Sequence, residues 1–141
     1  NKRIADGDYL SKETGKYLLE QAEHMVKKRA GQILLAGGET TVRIKGTGKG
    51  GRNQALILAA LPFITDDVTI ASFDSDGWDF YELAGAIADH ETLAKMKQKE
   101  LDAKAFLDND NSYEFWKKVG DGIETGKLES NVSDLFIVLK K

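Results

Sequence analysis

The chain has 141 residues, 41% hydrophobic and 30% charged, with a formal net charge of −3. That is the size and composition of one globular domain with its own core. It has no cysteine and only two histidines, His24 and His90, which excludes disulfides and thiolate metal sites and argues against zinc. No basic excess marks a nucleic-acid binder, no apolar run is long enough to span a membrane, and no signal peptide opens the chain. A cytoplasmic protein with no nucleic-acid or membrane partner is expected. Asn1 is not an initiating residue, so a piece of a longer chain is expected too.

Residues 1–10 read as a polar lead-in; Asp6 and Asp8 do not complete a calcium loop, because Leu10 and Ser11 stand where an oxygen ligand and a glycine are needed. Ser11 opens a helix expected to reach about Arg29. Leu18, Ala22, Met25 and Val26 form its apolar stripe, and Lys27 to Arg29 sit at its negative end. Ile33 to Ala36 has the length and branching of a buried strand. Thr40 to Lys45 alternates, Val42 and Ile44 against Thr41, Arg43 and Lys45, and predicts a second strand joined to the first by a hairpin at Gly37–Thr41.

A helix follows over Ala55 to Leu61, closed by Pro62, the only proline. Val68 to Phe73 and Leu135 to Leu139 read as buried strands, and Leu83 to Ala88 as a helix start or packed turn. Helices are expected over Thr92–Lys99 and Ala103–Leu107. Another follows the cap signal Asn109 to Ser112, with Tyr113, Phe115, Trp116 and Val119 read as core. The pattern predicts an α/β fold: a mixed, mainly parallel sheet flanked by helices, with one antiparallel hairpin strand. Residues 1–31 form a lead-in and helix, and 32–141 the α/β domain.

Two stretches carry chemistry. Gly46, Gly48, Gly50 and Gly51 stand before a helix that opens on Arg52-Asn53-Gln54. Bare backbone at a helix N-terminus can bind an anion, and Lys49 and Arg52 add positive charge, so a phosphate or carboxylate site is expected. The glycines satisfy G-x-G-x-x-G, but the preceding strand is too polar for a dinucleotide fold. A Walker A loop fails because Arg52-Asn53 stands where Lys-Ser or Lys-Thr is needed. The second stretch, Asp74, Asp76 and Asp79, follows a strand. It reads as a solvated turn, a magnesium site or a general base.

Together with Leu35 to Val42, Gly48 to Gln54, Asp76 to Asp79, Ala84 to Asp89, Asn111 to Tyr113, Thr125-Gly126 and Asn131 to Leu135, these stretches resemble the MOFRL domain, the C-terminal part of the glycerate 2-kinases, many of which carry the name hydroxypyruvate reductase. The resemblance implies an ATP- and Mg2+-dependent kinase that converts D-glycerate to 2-phosphoglycerate in a cleft shared with a larger N-terminal domain, absent here. It places Arg52, Asp76 and Asp79 in catalysis, with Asp76 and Asp79 on magnesium. Glu39, Thr40, Gly46, Gly48, Lys49, Gly50, Gly51 and Asn53 would bind phosphate or substrate. Phe80-Tyr81-Glu82-Leu83 departs from the family's Gly-Pro-Thr-Asp-Ala, so a differently shaped loop is expected there. The alternatives are a nicotinamide-dependent hydroxypyruvate reductase and a stand-alone anion-binding domain. The isolated chain is expected to fold without kinase activity, and Arg52→Ala to spare the fold while lowering turnover.

Overall fold

The structure, a computed structural model, describes residues 10–25 and 31–141. A five-stranded sheet has the order β1-β5-β2-β3-β4, formed by β1 (Gln32–Gly38), β2 (Val68–Asp74), β3 (Gly85–Ala88), β4 (Gly122–Ile123) and β5 (Asp134–Lys140). Every neighbouring pair is antiparallel. The expected mainly parallel sheet is therefore corrected. Alternation of strands and helices along the chain does not fix strand direction; β5 returns from the end of the chain and inserts between β1 and β2, running against both.

Two elements differ from expectation. Residues 40–45 form no strand: Thr41 makes one isolated parallel bridge with Leu10, so the hairpin at Gly37–Thr41 is absent. Thr41 O instead accepts from Ser11 N at 3.0 Å and Lys45 N donates to Asp110 Oδ2 at 2.6 Å. Leu83 to Ala88 yields a strand, β3, in place of a helix start. Its small residues let it lie tight against β2, where a Cβ on Gly85 would sit 1.9 Å from Ser72 O.

The helices are α1 (Ser11–Met25), α2 (Arg52–Ala60), α3 (His90–Gln98), α4 (Ala103–Asp108) and α5 (Ser112–Val119), with a 3-10 turn at Leu61–Phe63 carrying Pro62. The basic run 27–29 and Val26 lie outside the described residues. α2 is buried from Asn53 to its end and forms the centre of the helical layer. Gly15 of α1 allows the close approach of the two helices, since a Cβ there would sit 2.6 Å from Leu56 O. Leu18, Leu56, Ile57, Ile70, Phe115, Trp116 and Val138 are all within 1% of complete burial. Trp116 secures its indole N–H by donating to Gln54 O at 2.9 Å, as a buried indole requires.

The helices cover one face of the sheet only. Val68 and Ile70 of β2, Ala86 and Ala88 of β3 and Phe136 and Val138 of β5 point into the core. On the other face Ile33 and Leu35 are 56% and 70% exposed, so the strand read as buried is a half-bare edge strand. No helix among the described residues is long and apolar enough to cross a membrane.

Candidate active site

The end of the sheet where β1 and β2 finish and β5 begins collects buried charge. Register sets Gly38, Asp134 and Asp74 side by side. Arg52, the first residue of α2, reaches over this row. Its Nε donates to Asp134 Oδ2 at 2.7 Å and its Nη2 to Asp134 Oδ1 at 3.0 Å, a bidentate fork. Nη2 also donates to Asp74 Oδ2 at 2.8 Å, and Nη1 lies 3.2 Å from Glu39 Oε1. The hydrogen bond to Asp134 raises the Arg52 pKa above its ordinary value. Burial holds the Asp74 carboxyl above the usual carboxylate range. A guanidinium facing three carboxylates makes the spot net negative, so by itself it does not draw an anion. A structural pairing of Arg52 with Glu39 is present, joined by two partners that sequence reasoning did not connect.

The anion position at the start of α2 is filled by the chain itself. Asp79 Oδ1 accepts from Asn53 N and Asn53 Nδ2, both at 3.1 Å, and Oδ2 accepts from Gln54 N at 2.8 Å. The carboxylate takes the place expected for a bound phosphate, the geometry that a helix N-terminus favours. Burial pushes the Asp79 carboxyl up to about 7, with the three N–H donors pulling against it. Asn53 spends its Oδ1 on Ser72 Oγ, so it too is a structural residue here.

The glycine loop is likewise turned inward. Asp110 Oδ2 accepts from Lys45 N at 2.6 Å and Gly46 N at 2.7 Å. Asn109 O accepts from Gly48 N at 2.9 Å, and Asn111 Oδ1 from Lys49 N at 3.0 Å. Lys12 Nζ completes the clamp at 2.9 Å from Asp110 Oδ1. The glycines serve close packing: a Cβ on Gly46 would meet Asn109 at 2.3 Å, one on Gly48 Asn111 at 2.4 Å, one on Gly50 Ser112 Oγ at 1.9 Å and one on Gly51 Asp79 O at 1.8 Å. Thr40, expected on substrate, is buried with its Oγ1 2.8 Å from Ser11 Oγ.

Asp76 stands apart. It is half-buried, its Oδ1 accepts from Trp78 N at 2.8 Å, and it pairs with no cation among the described residues. Arg43, Lys45 and Lys49 are exposed and likewise form no ion pair among them. Asp79 has both oxygens committed to α2 and Asp74 is paired with Arg52, so this donor set does not fit a magnesium ion held by the chain. No group of three or more His, Asp or Glu side chains among the described residues is arranged to hold a metal.

Beside the cluster, Phe80 and Tyr81 adopt left-handed backbone, φ 66° and 59°, an uncommon choice for bulky residues. The turn is pinned by Gln54 Nε2, which donates to Asp79 O at 2.6 Å and Phe80 O at 3.1 Å. Tyr81 packs on Tyr113 with ring centroids 5.0 Å apart, and Lys49 Nζ lies 5.4 Å over the Tyr81 ring.

Sequence reasoning gave Asp134 no role, yet it is the fully buried partner of Arg52. The signal was its period: Phe136 and Val138 point inward, so Asp134 must as well, and a buried carboxylate needs a cation. Asn109 to Ser112 carry the local pattern of a helix cap, and no local signal marks the hold of Asn109 to Asn111 on the glycine loop.

Superposition defines the class of this domain. A crystal structure of glycerate kinase from Thermotoga maritima matches it with a TM-score of 0.87 at 33% identity, over 96% of this chain and 34% of that one. A Pyrococcus horikoshii structure matches with a TM-score of 0.84 at 36% identity, over 93% and 32%. The fold is thus a domain found within glycerate kinases. Residues 32–134 match the MOFRL family, and the chain belongs to it. Among curated relatives, glycerate 2-kinase of Pyrococcus horikoshii is 43% identical over 76% of this chain and 25% of its own length. D-glycerate 2-kinase of Thermotoga maritima is 40% identical over 75% and 26%. The chain spans about a quarter of the length of these relatives.

Proposed function

We propose that this chain is one domain of an ATP-dependent glycerate 2-kinase, which phosphorylates the 2-hydroxyl of D-glycerate in a cleft shared with a larger domain of the same polypeptide. The observation that carries this reading is the match to enzymes named glycerate 2-kinase at 40–43% identity, together with the family match over residues 32–134, which takes in the glycine loop and the sheet-end cluster. Phosphoryl transfer asks for positioning and charge neutralisation more than for covalent chemistry. Lys49, in the glycine loop, and Lys45 and Arg43, just before it, are exposed, and these are the groups we assign to phosphate oxygens. Asp76 is the carboxylate without an ion-pair partner among the described residues in the turn after β2, and we assign it the substrate hydroxyl proton.

Arg52 acts as a positioning residue: its fork sets Asp74 and Asp134, and through them the 74–79 turn that carries Asp76. Asp79 fixes the start of α2. We place no magnesium ligand on this chain, and Asp76 and Asp79 do not form the expected metal pair.

The test is an assay of the longer polypeptide carrying this chain. ATP-dependent formation of 2-phosphoglycerate from D-glycerate is the expected result. NADH oxidation with hydroxypyruvate and no phosphorylation would replace the kinase with a reductase. Binding of nucleotide or glycerate with neither reaction would leave a non-catalytic anion-binding domain.

A further inference from the structure

The bare face of the sheet is apolar over four strands. Register lays out its rows: Leu35, Ile137, Ala71 and Ile87 in one, and Ile33, Leu139 and Thr69 in the next. A third row contains Gly37, Leu135, Phe73 and Gly85. No side chain in these rows is charged. Leu35 is 70% exposed, Ile33 56%, Ile87 42% and Leu139 41%. A one-sided antiparallel sheet ordinarily turns polar side chains to water, and a contiguous apolar patch of this kind marks an interface.

We propose that this face docks the remainder of the longer polypeptide, which covers it with an uncharged apolar layer. The proposal rests on the reading of the chain as one domain of a longer kinase. Size decides between occupants. Four strands about 4.8 Å apart and up to seven residues long at about 3.4 Å each give a face of about 450 Å² in flat outline. Two such faces packed together would bury about 900 Å², short of the ~1,200–2,000 Å² of stable complexes between separate chains. The same area lies within the ~600–1,500 Å² typical of domains joined in one chain. The relatives supply the material, since this chain accounts for 34% of the Thermotoga maritima structure it matches. The geometry also suits the site. The row of Gly37, Leu135 and Phe73 ends one residue from Gly38, Asp134 and Asp74, where the two carboxylates turn to the helical side, so a domain seated on the face meets the Arg52 cluster by reaching round this end of the sheet.

The chain has no cysteine, so single cysteines report cleanly. Leu35→Cys and Leu139→Cys are labelled with a maleimide in the 141-residue chain and in a chimera. In the chimera this chain replaces the matched part of the Thermotoga maritima glycerate kinase, whose own cysteines are changed to serine. Lys104→Cys, on the exposed helical side, is the control. The expected result is at least tenfold slower labelling of both sheet positions in the chimera, with Lys104→Cys unchanged. Equal labelling in chain and chimera overturns the proposal, whatever the kinase assay shows.

A second measurement needs only the free chain. Leu35→Lys is expected to shift Tm by less than about 3 °C, as at other exposed sites, and to weaken binding of an apolar dye. Sedimentation is expected to show monomers. A larger drop in Tm, meaning that the face is already covered, or a dimer that Leu35→Lys dissolves, overturns the proposal.

Discussion

Removing the Arg52 guanidinium tests the charge cluster most directly. Arg52→Ala strips the bidentate partner from Asp134, which is fully buried, and the close cation from Asp74, whose side chain is 10% exposed. Breaking a buried pair by deleting one member costs about 3–5 kcal/mol, because an uncompensated charge is left inside. Here the arginine side chain is 28% exposed, so water enters part of the space it vacates, and the expected loss falls to about 2–3 kcal/mol. For a domain of this size that lowers Tm by about 10 °C. Urea denaturation followed by tryptophan fluorescence measures it, and Arg52→Lys is expected to lose an intermediate amount because an ammonium cannot form the fork. A double-mutant cycle with Asp134→Asn is expected to give a coupling of at least about 1.5 kcal/mol. A loss below about 0.5 kcal/mol, or additive single and double variants, would refute the structural role and return Arg52 to the free, anion-binding arginine that the sequence suggests.

The remaining predictions concern Asp79, Gly51 and Asp76. The Asp79 carboxyl ionises near 3.8 when unfolded and near 7 when folded, so the stability it contributes is full below about pH 3.8 and is lost as the pH rises through about 7. The loss is at most about 4 kcal/mol. Denaturation at a series of pH values should show this decline, and Asp79→Asn should flatten it; an unchanged slope would show that the group does not titrate there. Gly51→Ala would place a Cβ 1.8 Å from Asp79 O and is expected to cost more than about 2 kcal/mol, with loss of amide protection at Asn53 and Gln54 in hydrogen exchange. Normal stability would mean that the loop can move away. Asp76→Asn in the longer enzyme should lower turnover by roughly a hundredfold while leaving the isolated domain's Tm within about 2 °C. Unchanged turnover would remove Asp76 from the chemistry.

The sequence by itself determined the helices, because capping signals and apolar spacing are local: α2 to α5 lie within a few residues of where the pattern puts them. Burial of Phe115 and Trp116 also followed from residue type. Strand direction was decided only in three dimensions, since β5 pairs with β1 and β2 from the far end of the chain and no local period records that. The same holds for the site. Glycines before a helix that opens on an arginine carry the pattern of an anion site, and that pattern is physically sound. Whether the anion is a ligand or a side chain depends on what the fold brings to the helix. Here it brings Asp79 to the N–H groups of Asn53 and Gln54, Asn109 to Asn111 to the glycine loop, and Asp134 to Arg52. These partners lie 25 or more residues away in sequence, and a spacing rule reads only neighbours.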